Sequence, residues 1–250
     1  MKTIHMHRTV RVLAATAPVL LAGALATAGP AAAATAGAPA TAAAFPHFDH
    51  RLHADSFWAG YADTGTAKFT SISGSWTVPK LDCATTKNSS VSPWLGLDGW
   101  SSDTVEQIGF DQDCQSGVAG YHPWVEMYPA NSIYFTETLK PGDVVTASVS
   151  VSGTTFTLSE SDTTQGWTKT YTKTGNDRLS SAEAILEDLG SGIGQVADFG
   201  TIPFTGLTSN GKPLATAGTP NSTNLERGST LLTKNSALTG GAFTITWLHA

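Results

Sequence analysis

The side chains of this sequence that could do chemistry fall in short stretches where they alternate with apolar residues. Trp94, Gly96 and Asp98 alternate with Leu95 and Leu97, and Trp124, Glu126 and Tyr128 alternate with Val125 and Met127. Val105, Gln107 and Gly109 alternate with Glu106, Ile108 and Phe110, and Glu183, Ile185 and Glu187 alternate with Ala184 and Leu186. In a β-strand successive side chains point to opposite faces, so each stretch would have one apolar face and one mixed face. The mixed face sets aromatic rings beside carboxyl groups and one carboxamide. That is neither an apolar core nor the Lys, Glu, Ser and Thr surface of a solvated sheet. Rings bind an extended substrate while polar groups orient it or move its protons, so the shared pattern points to a substrate groove. Taken singly, each acid would be a solvated surface group and each Trp a filler of a sheet edge. The same division repeated in several stretches favours the groove.

These side chains need strands to position them. From Ser56 onward the chain runs in short period-two segments rich in Val, Thr, Phe, Trp and Tyr, separated by Gly, Pro, Asn, Asp and Ser. This is a β signature. Strands are expected at Phe69–Val78, Trp94–Gly99, Thr104–Phe110, Trp124–Tyr128, Val144–Val151, Thr155–Ser159, Thr168–Thr172, Gln195–Phe199 and Phe243–Leu248. Turn residues sit between them at Pro141-Gly142, Ser152-Gly153 and Asn210-Gly211, as hairpins require. Ser180–Leu189 is ambiguous, because Ser180 followed by Glu183 resembles a helix capping box. Its alternation and its all-β surroundings favour a strand. Leu95, Leu97, Ile108, Val125, Met127 and Leu186 then form the core between two packed sheets.

The fold expected is therefore all-β, a single sandwich domain over residues 56–250 with little helix. In front of it Lys2, Arg8 and Arg11 precede the apolar run Val12–Leu25 and an Ala-rich stretch, the pattern of a secretory signal peptide over residues 1–34. The apolar run is too short to span a bilayer and no later segment is long enough. Residues 35–55 read as an Ala/His-rich linker or short pro-segment. His47, His50 and His53 stand there at three-residue spacing, but a flexible stretch without a ligand from a distant strand does not hold a metal in fixed geometry. No metal and no cofactor are expected. With 20 acidic against 14 basic residues, three of the latter in the leader, the exported part is acidic. It is a poor partner for nucleic acid or an anionic membrane. Cys83 and Cys114 are the only cysteines, and an even pair in an oxidising exterior reads as one disulfide. A monomer is expected.

Common hydrolase signatures are missing: no H-E-x-x-H, no G-x-S-x-G and no C-x-x-C occurs, and the Gly190-x-Gly192-x-Gly194 run lacks the context of a dinucleotide site. An ordered series of motifs is present instead. It comprises Ser56-Phe57-Trp58-Ala59-Gly60-Tyr61, Ser75-Trp76-Thr77-Val78-Pro79, Trp94-Leu95-Gly96-Leu97-Asp98-Gly99, Gln107-Ile108-Gly109, the run Tyr121 to Pro129, and Ala182-Glu183-Ala184-Ile185-Leu186-Glu187-Asp188. In order and spacing the series resembles the glutamic peptidases, or eqolisins, from Ser56 to about Pro203. The resemblance implies a concanavalin-like sandwich of two curved antiparallel sheets. It also implies an endopeptidase whose catalytic residues fall on Gln107 and on Glu187, the second acid of its motif, and not on Glu183. Trp94, Asp98, Glu126 and Trp124 are then expected to line or support the substrate cleft. Where the family pattern has Asp after the Tyr of Y-D-x-W, this chain has His122, a departure that touches pH tuning and subsite preference but not the dyad.

The chemistry so implied uses one carboxyl as base and then acid. Glu187 takes a proton from water, the water attacks the scissile carbonyl, and Glu187 returns the proton to the leaving amine. Gln107 donates to the oxyanion without itself titrating. Carboxyl groups crowded in a partly desolvated cleft raise one another's pKa, so an acidic optimum on polypeptide substrates is expected. The alternative is a secreted glycan-binding or glycan-cleaving sandwich, since aromatics and paired acids also suit sugars.

Overall fold

The computed structural model describes residue 50, residues 57–189 and residues 195–250. The expected signal peptide, His47 and His53 lie outside the described residues. The chain begins with β1 (Trp58–Thr64), β2 (Ser71–Thr77), β3 (Ser89–Leu97), β4 (Val105–Gln115), β5 (Val118–Tyr128) and β6 (Ile133–Tyr134). It continues through β7 (Val144–Ser152), β8 (Thr155–Asp162), β9 (Trp167–Thr174), β10 (Ser181–Glu187), β11 (Thr201–Ser209) and β12 (Lys212–Pro213). A single helical turn, α1 (Leu214–Ala217), precedes β13 (Thr219–Thr223), β14 (Glu226–Arg227), β15 (Thr230–Leu231), β16 (Thr233–Asn235) and β17 (Phe243–Trp247).

Two antiparallel sheets face each other. One runs β13-β1-β10-β3-β4-β5-β6 and the other β16-β17-β11-β2-β7-β8-β9, with β12 paired to β11. Between them lies one apolar core containing Leu95, Leu97, Ile108, Val125 and Leu186, with Met127 packed against it. These are the residues the alternation assigned inward. Strands β3, β4, β5 and β10 thus send alternate side chains into the core, and Trp94, Gln107, Glu126 and Glu187 must leave from the other face. Ser180–Leu189 resolves as strand β10 because its apolar residues, Ala182, Ala184 and Leu186, recur at period two and join that core. Cys83 and Cys114 are disulfide-bonded with their Cα atoms 5.4 Å apart, tying the loop before β3 to the end of β4.

Two departures from the sequence reading have local causes. Gln195–Phe199 is not a strand: only Val196 makes an isolated bridge, to Ser90. The segment carries the chain from β10 in one sheet to β11 in the other, so Val196, Ala197 and Phe199 are buried without neighbours on both sides to build a ladder. Conversely β11 is a strand of nine residues despite Pro203 and Gly206, both of which argue against one. A bulge between Thr205 and Thr208 absorbs Gly206 at φ +62°, the kind of irregularity such residues mark.

Candidate active site

Strand register brings the chemistry-bearing residues into rows across the outer face of the first sheet. Gln107 on β4 lies opposite Glu126 on β5 and Gly96 on β3, and Gly96 lies opposite Glu183 on β10. In the next row Trp124, Gly109, Trp94 and Ile185 follow one another. Glu187 lies opposite Ser92 on one side and Trp58 on the other. The glycines make room for the rings: a Cβ on Gly109 would collide with the Pro93 carbonyl oxygen and stand 2.7 Å from the Trp94 Cβ. Trp58, Trp94, Trp124, Val105 and Ile185 pack into a second apolar cluster on this face, with Trp58 and Trp94 edge to face at 4.9 Å.

The polar groups are held within that aromatic frame. Trp94 Nε1 donates to Glu187 Oε2 at 3.1 Å. Gln107 Nε2 donates to Glu126 Oε2 at 2.5 Å, and Ser132 Oγ holds Glu126 Oε1 at 3.1 Å. Among the described residues Gln107 Oε1 has no hydrogen-bond partner. Trp124 Nε1 donates to Ser92 Oγ at 3.1 Å, and Ser92 Oγ donates to the Phe110 carbonyl. Gln107 and Glu187 have no exposed surface, and Glu126 is 5% exposed. Burial raises the pKa of Glu126 above the usual carboxylate range, against the opposing pull of His50 and the hydrogen bonds from Gln107 and Ser132. Burial also raises Asp111, which accepts from Tyr134 Oη at 2.5 Å.

The structure brings together Gln107, Glu126, Trp94, Trp124 and Glu187 on this face and gives Asp98 a different place. Asp98 directly follows β3, at φ +67°. Its carboxylate accepts from the backbone N–H groups of Leu179 and Ser180 at 2.6 and 2.7 Å and from Ser180 Oγ at 2.7 Å. It thereby fastens the start of β10. Glu183 is fully buried, and burial, with Asp98 and Glu106 adding like charge, raises its pKa well above the ordinary value. Among the described residues no group of His, Cys, Asp and Glu is arranged to hold a metal.

Ser92, Asp111 and His50 also belong to this face; the sequence reading did not single out the first two and set His50 aside among the linker histidines. Ser92 was readable as part of the row above Trp94, and Asp111 as the next alternate residue after Gln107 and Gly109. His50 had no such signal, since it precedes every strand. Its Nδ1 lies 3.0 Å from Glu187 Oε2, its Nε2 3.6 Å from Asp111 Oδ1, and its ring 3.9 Å from that of Trp124.

Comparison with known proteins bears on this arrangement. Residues 56–247 match the model of the peptidase A4 family. The chain belongs to that family. As a peptidase A4 member it is a peptide-bond hydrolase of the glutamic type, which sets aside the carbohydrate alternative. Its sandwich superposes on that of scytalido-glutamic peptidase, solved with a transition state analog inhibitor, with a TM-score of 0.65 at 23% identity over 77% of this chain and 98% of that one. SCP-B, an eqolisin in complex with the tripeptide Ala-Ile-His, gives 0.60 at 22% identity over the same shares. Aspergilloglutamic peptidase from Aspergillus niger gives 0.56 at 29% identity over 64% of this chain and 99% of that one. No curated protein sequence matches the chain.

Proposed function

We propose that this peptidase A4 member is a secreted acid endopeptidase in which Gln107 and Glu187 carry the hydrolysis. The observation that supports the pairing is their common placement: they leave β4 and β10, the two strands that flank β3, toward the same Trp-lined face. Glu187 acts as base on a water and then as acid on the leaving amine. The Trp94 N–H orients its carboxylate without supplying a proton to the reaction. Gln107 spends one amide hydrogen on Glu126, which leaves the second for the oxyanion and Oε1 for the attacking water. Trp94, Trp124 and Glu126 frame the cleft, and Asp98 supports it from the end of β3. The single domain 56–250 follows a signal peptide over residues 1–34 and a linker or short pro-segment over residues 35–55, and export agrees with the disulfide between Cys83 and Cys114. Its substrates are polypeptides.

The test is cleavage of denatured casein at about pH 3–4, the range where carboxyl groups ordinarily titrate, by the parent and by Glu187→Gln and Gln107→Ala. Activity in the parent is expected to fall by at least about 10²–10³ in each variant while both remain folded. Undiminished activity in either variant would remove that residue from the mechanism.

A further inference from the structure

Gln107 serves the dyad only while its amide keeps one orientation, and that orientation is fixed from outside β4. Glu126 on β5 stands directly opposite Gln107, and its two carboxyl oxygens have separate partners. Oε2 accepts from Gln107 Nε2 at 2.5 Å, and Oε1 lies 3.1 Å from the Ser132 hydroxyl. Ser132 belongs to the connection between β5 and β6. A turn closed by the Ala130 N–H on the Met127 carbonyl at 2.9 Å returns the chain. The pairing of Ile133 with Val125 and of Tyr134 with Trp124 then brings the preceding residue, Ser132, alongside Glu126. Ser132 is 8% and Glu126 5% exposed, so bulk water has little access to either bond.

Acid conditions make a demand on this contact that neutral conditions do not. An ionised Glu126 only accepts hydrogen bonds. Gln107 must then turn its N–H2 group toward it and leave Oε1 for the cleft, where that atom has no partner among the described residues. Burial raises the pKa of Glu126, opposed by His50 and by the hydrogen bonds from Gln107 and Ser132, and reinforced by Glu187 on β10. Beyond Gly96 the row of Gln107 ends on Glu183 of β10, an acid itself raised by burial. At the acid pH proposed above, Glu126 therefore carries a proton, and the oxygen that takes it decides what Gln107 does. On Oε2 the proton would set a donor against a donor. The amide would have to turn its oxygen to Glu126, and the attacking water would lose its acceptor. On Oε1 the proton meets a hydroxyl, which has lone pairs and rotates to accept, and Oε2 remains a carbonyl acceptor for Nε2.

We propose that Ser132 is a positioning residue for the dyad: its hydroxyl donates to Glu126 Oε1 when Glu126 is ionised and accepts from it when Glu126 is protonated, so the Gln107 amide keeps one orientation in both states. This inference rests on the peptidase reading above and deepens it. The proton comes from solvent, stays bonded to Glu126 Oε1 and does not enter the hydrolysis. Without the hydroxyl, an O–H at Oε1 would be buried with no acceptor, a cost that moves the proton to Oε2 and turns the amide. Ser132 thus acts through Glu126 and Gln107 and touches no reacting atom.

The experiment compares the parent with Ser132→Ala, which removes the hydroxyl, and Ser132→Thr, which keeps it. Steady-state kinetics on a defined peptide are run from about pH 3 upward, with the Glu126 titration followed by carbon NMR of its carboxyl. Where Glu126 is protonated, kcat of Ser132→Ala should be at least about 10-fold below the parent, with KM moving by less than about 2-fold. The deficit should narrow as Glu126 ionises, and Ser132→Thr should recover most of it. A deficit of equal size at every pH, no deficit at all, or a Thr variant that behaves as the Ala one would overturn the proposal. The side-chain amide of Gln107, assigned in nitrogen–proton NMR spectra with Gln107→Ala, reports the orientation without turnover. Its hydrogen-bonded proton should keep its low-field position through the Glu126 titration in the parent and lose it in Ser132→Ala, and identical traces would overturn the proposal. A parent inactive at every pH would count against the peptidase reading instead, and the amide traces alone would then decide the role of Ser132.

Discussion

Glu187 and Gln107 are held by different means, and the difference sets what their neighbours should do when changed. Trp94 contributes an indole N–H to Glu187 and a ring to the aromatic cluster. Trp94→Phe keeps most of the ring and removes the donor. The lost donor is the one that orients the carboxyl proposed to hold the water, so kcat is expected to fall by about 10-fold or more. Glu126 fixes the Gln107 amide through Nε2, and Glu126→Ala should lower kcat by about 10-fold or more while moving KM less, the signature of lost transition-state contact. Steady-state kinetics on a defined peptide checks both, and a change confined to KM would make these residues substrate contacts alone. The motif series made Gln107, Glu187 and Glu126 readable in the sequence. It did not make readable that Glu126 touches Gln107, because β4 and β5 meet only through a register set by the turn between them.

Strand β10 is the element on which the candidate site turns. It lies between β1 and β3, sends Ala182, Ala184 and Leu186 into the core, and presents Glu187 at its end. Its start is fastened by Asp98, which accepts three hydrogen bonds from residues 179 and 180. Asp98→Ala leaves those donors without their acceptor and places Ala at φ +67°, which costs more for Ala than for Asp or Asn. A loss of about 2–4 kcal/mol is expected, with Asp98→Asn losing less because it tolerates the backbone and keeps an acceptor. Urea unfolding measures this, and equal losses in the two variants would show that the carboxylate bonds, and not the backbone conformation, dominate. The alternation in β10 was legible and outweighed the capping-box signal, since Ser180 spends its N–H and hydroxyl on Asp98 instead of on a helix. The misread Gln195–Phe199 had the same local pattern as a true strand. Pattern alone cannot tell a segment that crosses between sheets from one that pairs within a sheet.

At the scale of the whole molecule, buried acids outnumber the means of keeping them ionised. Burial raises Asp63 to about 6 and Glu106 to about 9. It raises Glu160 and Glu183 well above the ordinary value, and Asp111, Glu126 and Asp177 in the same direction. Hydrogen bonds with Thr85 lower Asp82, which stands on an exposed turn. Each raised acid binds its proton more tightly folded than unfolded. Its contribution to stability is therefore fully present below the ordinary carboxylate value near 4 and is lost as pH rises through its folded value. The melting temperature should be at least about 5 °C higher at pH 4.5 than at pH 8, and Glu106→Gln should flatten the dependence. Calorimetry showing maximal stability above pH 7 would contradict this account.

Period-two alternation and turn residues were enough to determine an all-β sandwich and its core-facing residues, and the motif series carried the resemblance to the peptidase family. These are local properties: strand pleat dictates which side chains share a face, and burial of the apolar face dictates which way it turns. Only the tertiary structure decided that Gln107 is held by Glu126, that Asp98 fastens β10, and that His50 rests between Asp111 and Glu187. Those contacts join residues 19, 82 and 137 positions apart. Each depends on which strands become neighbours and in what register, and side-chain alternation within one strand carries no record of either.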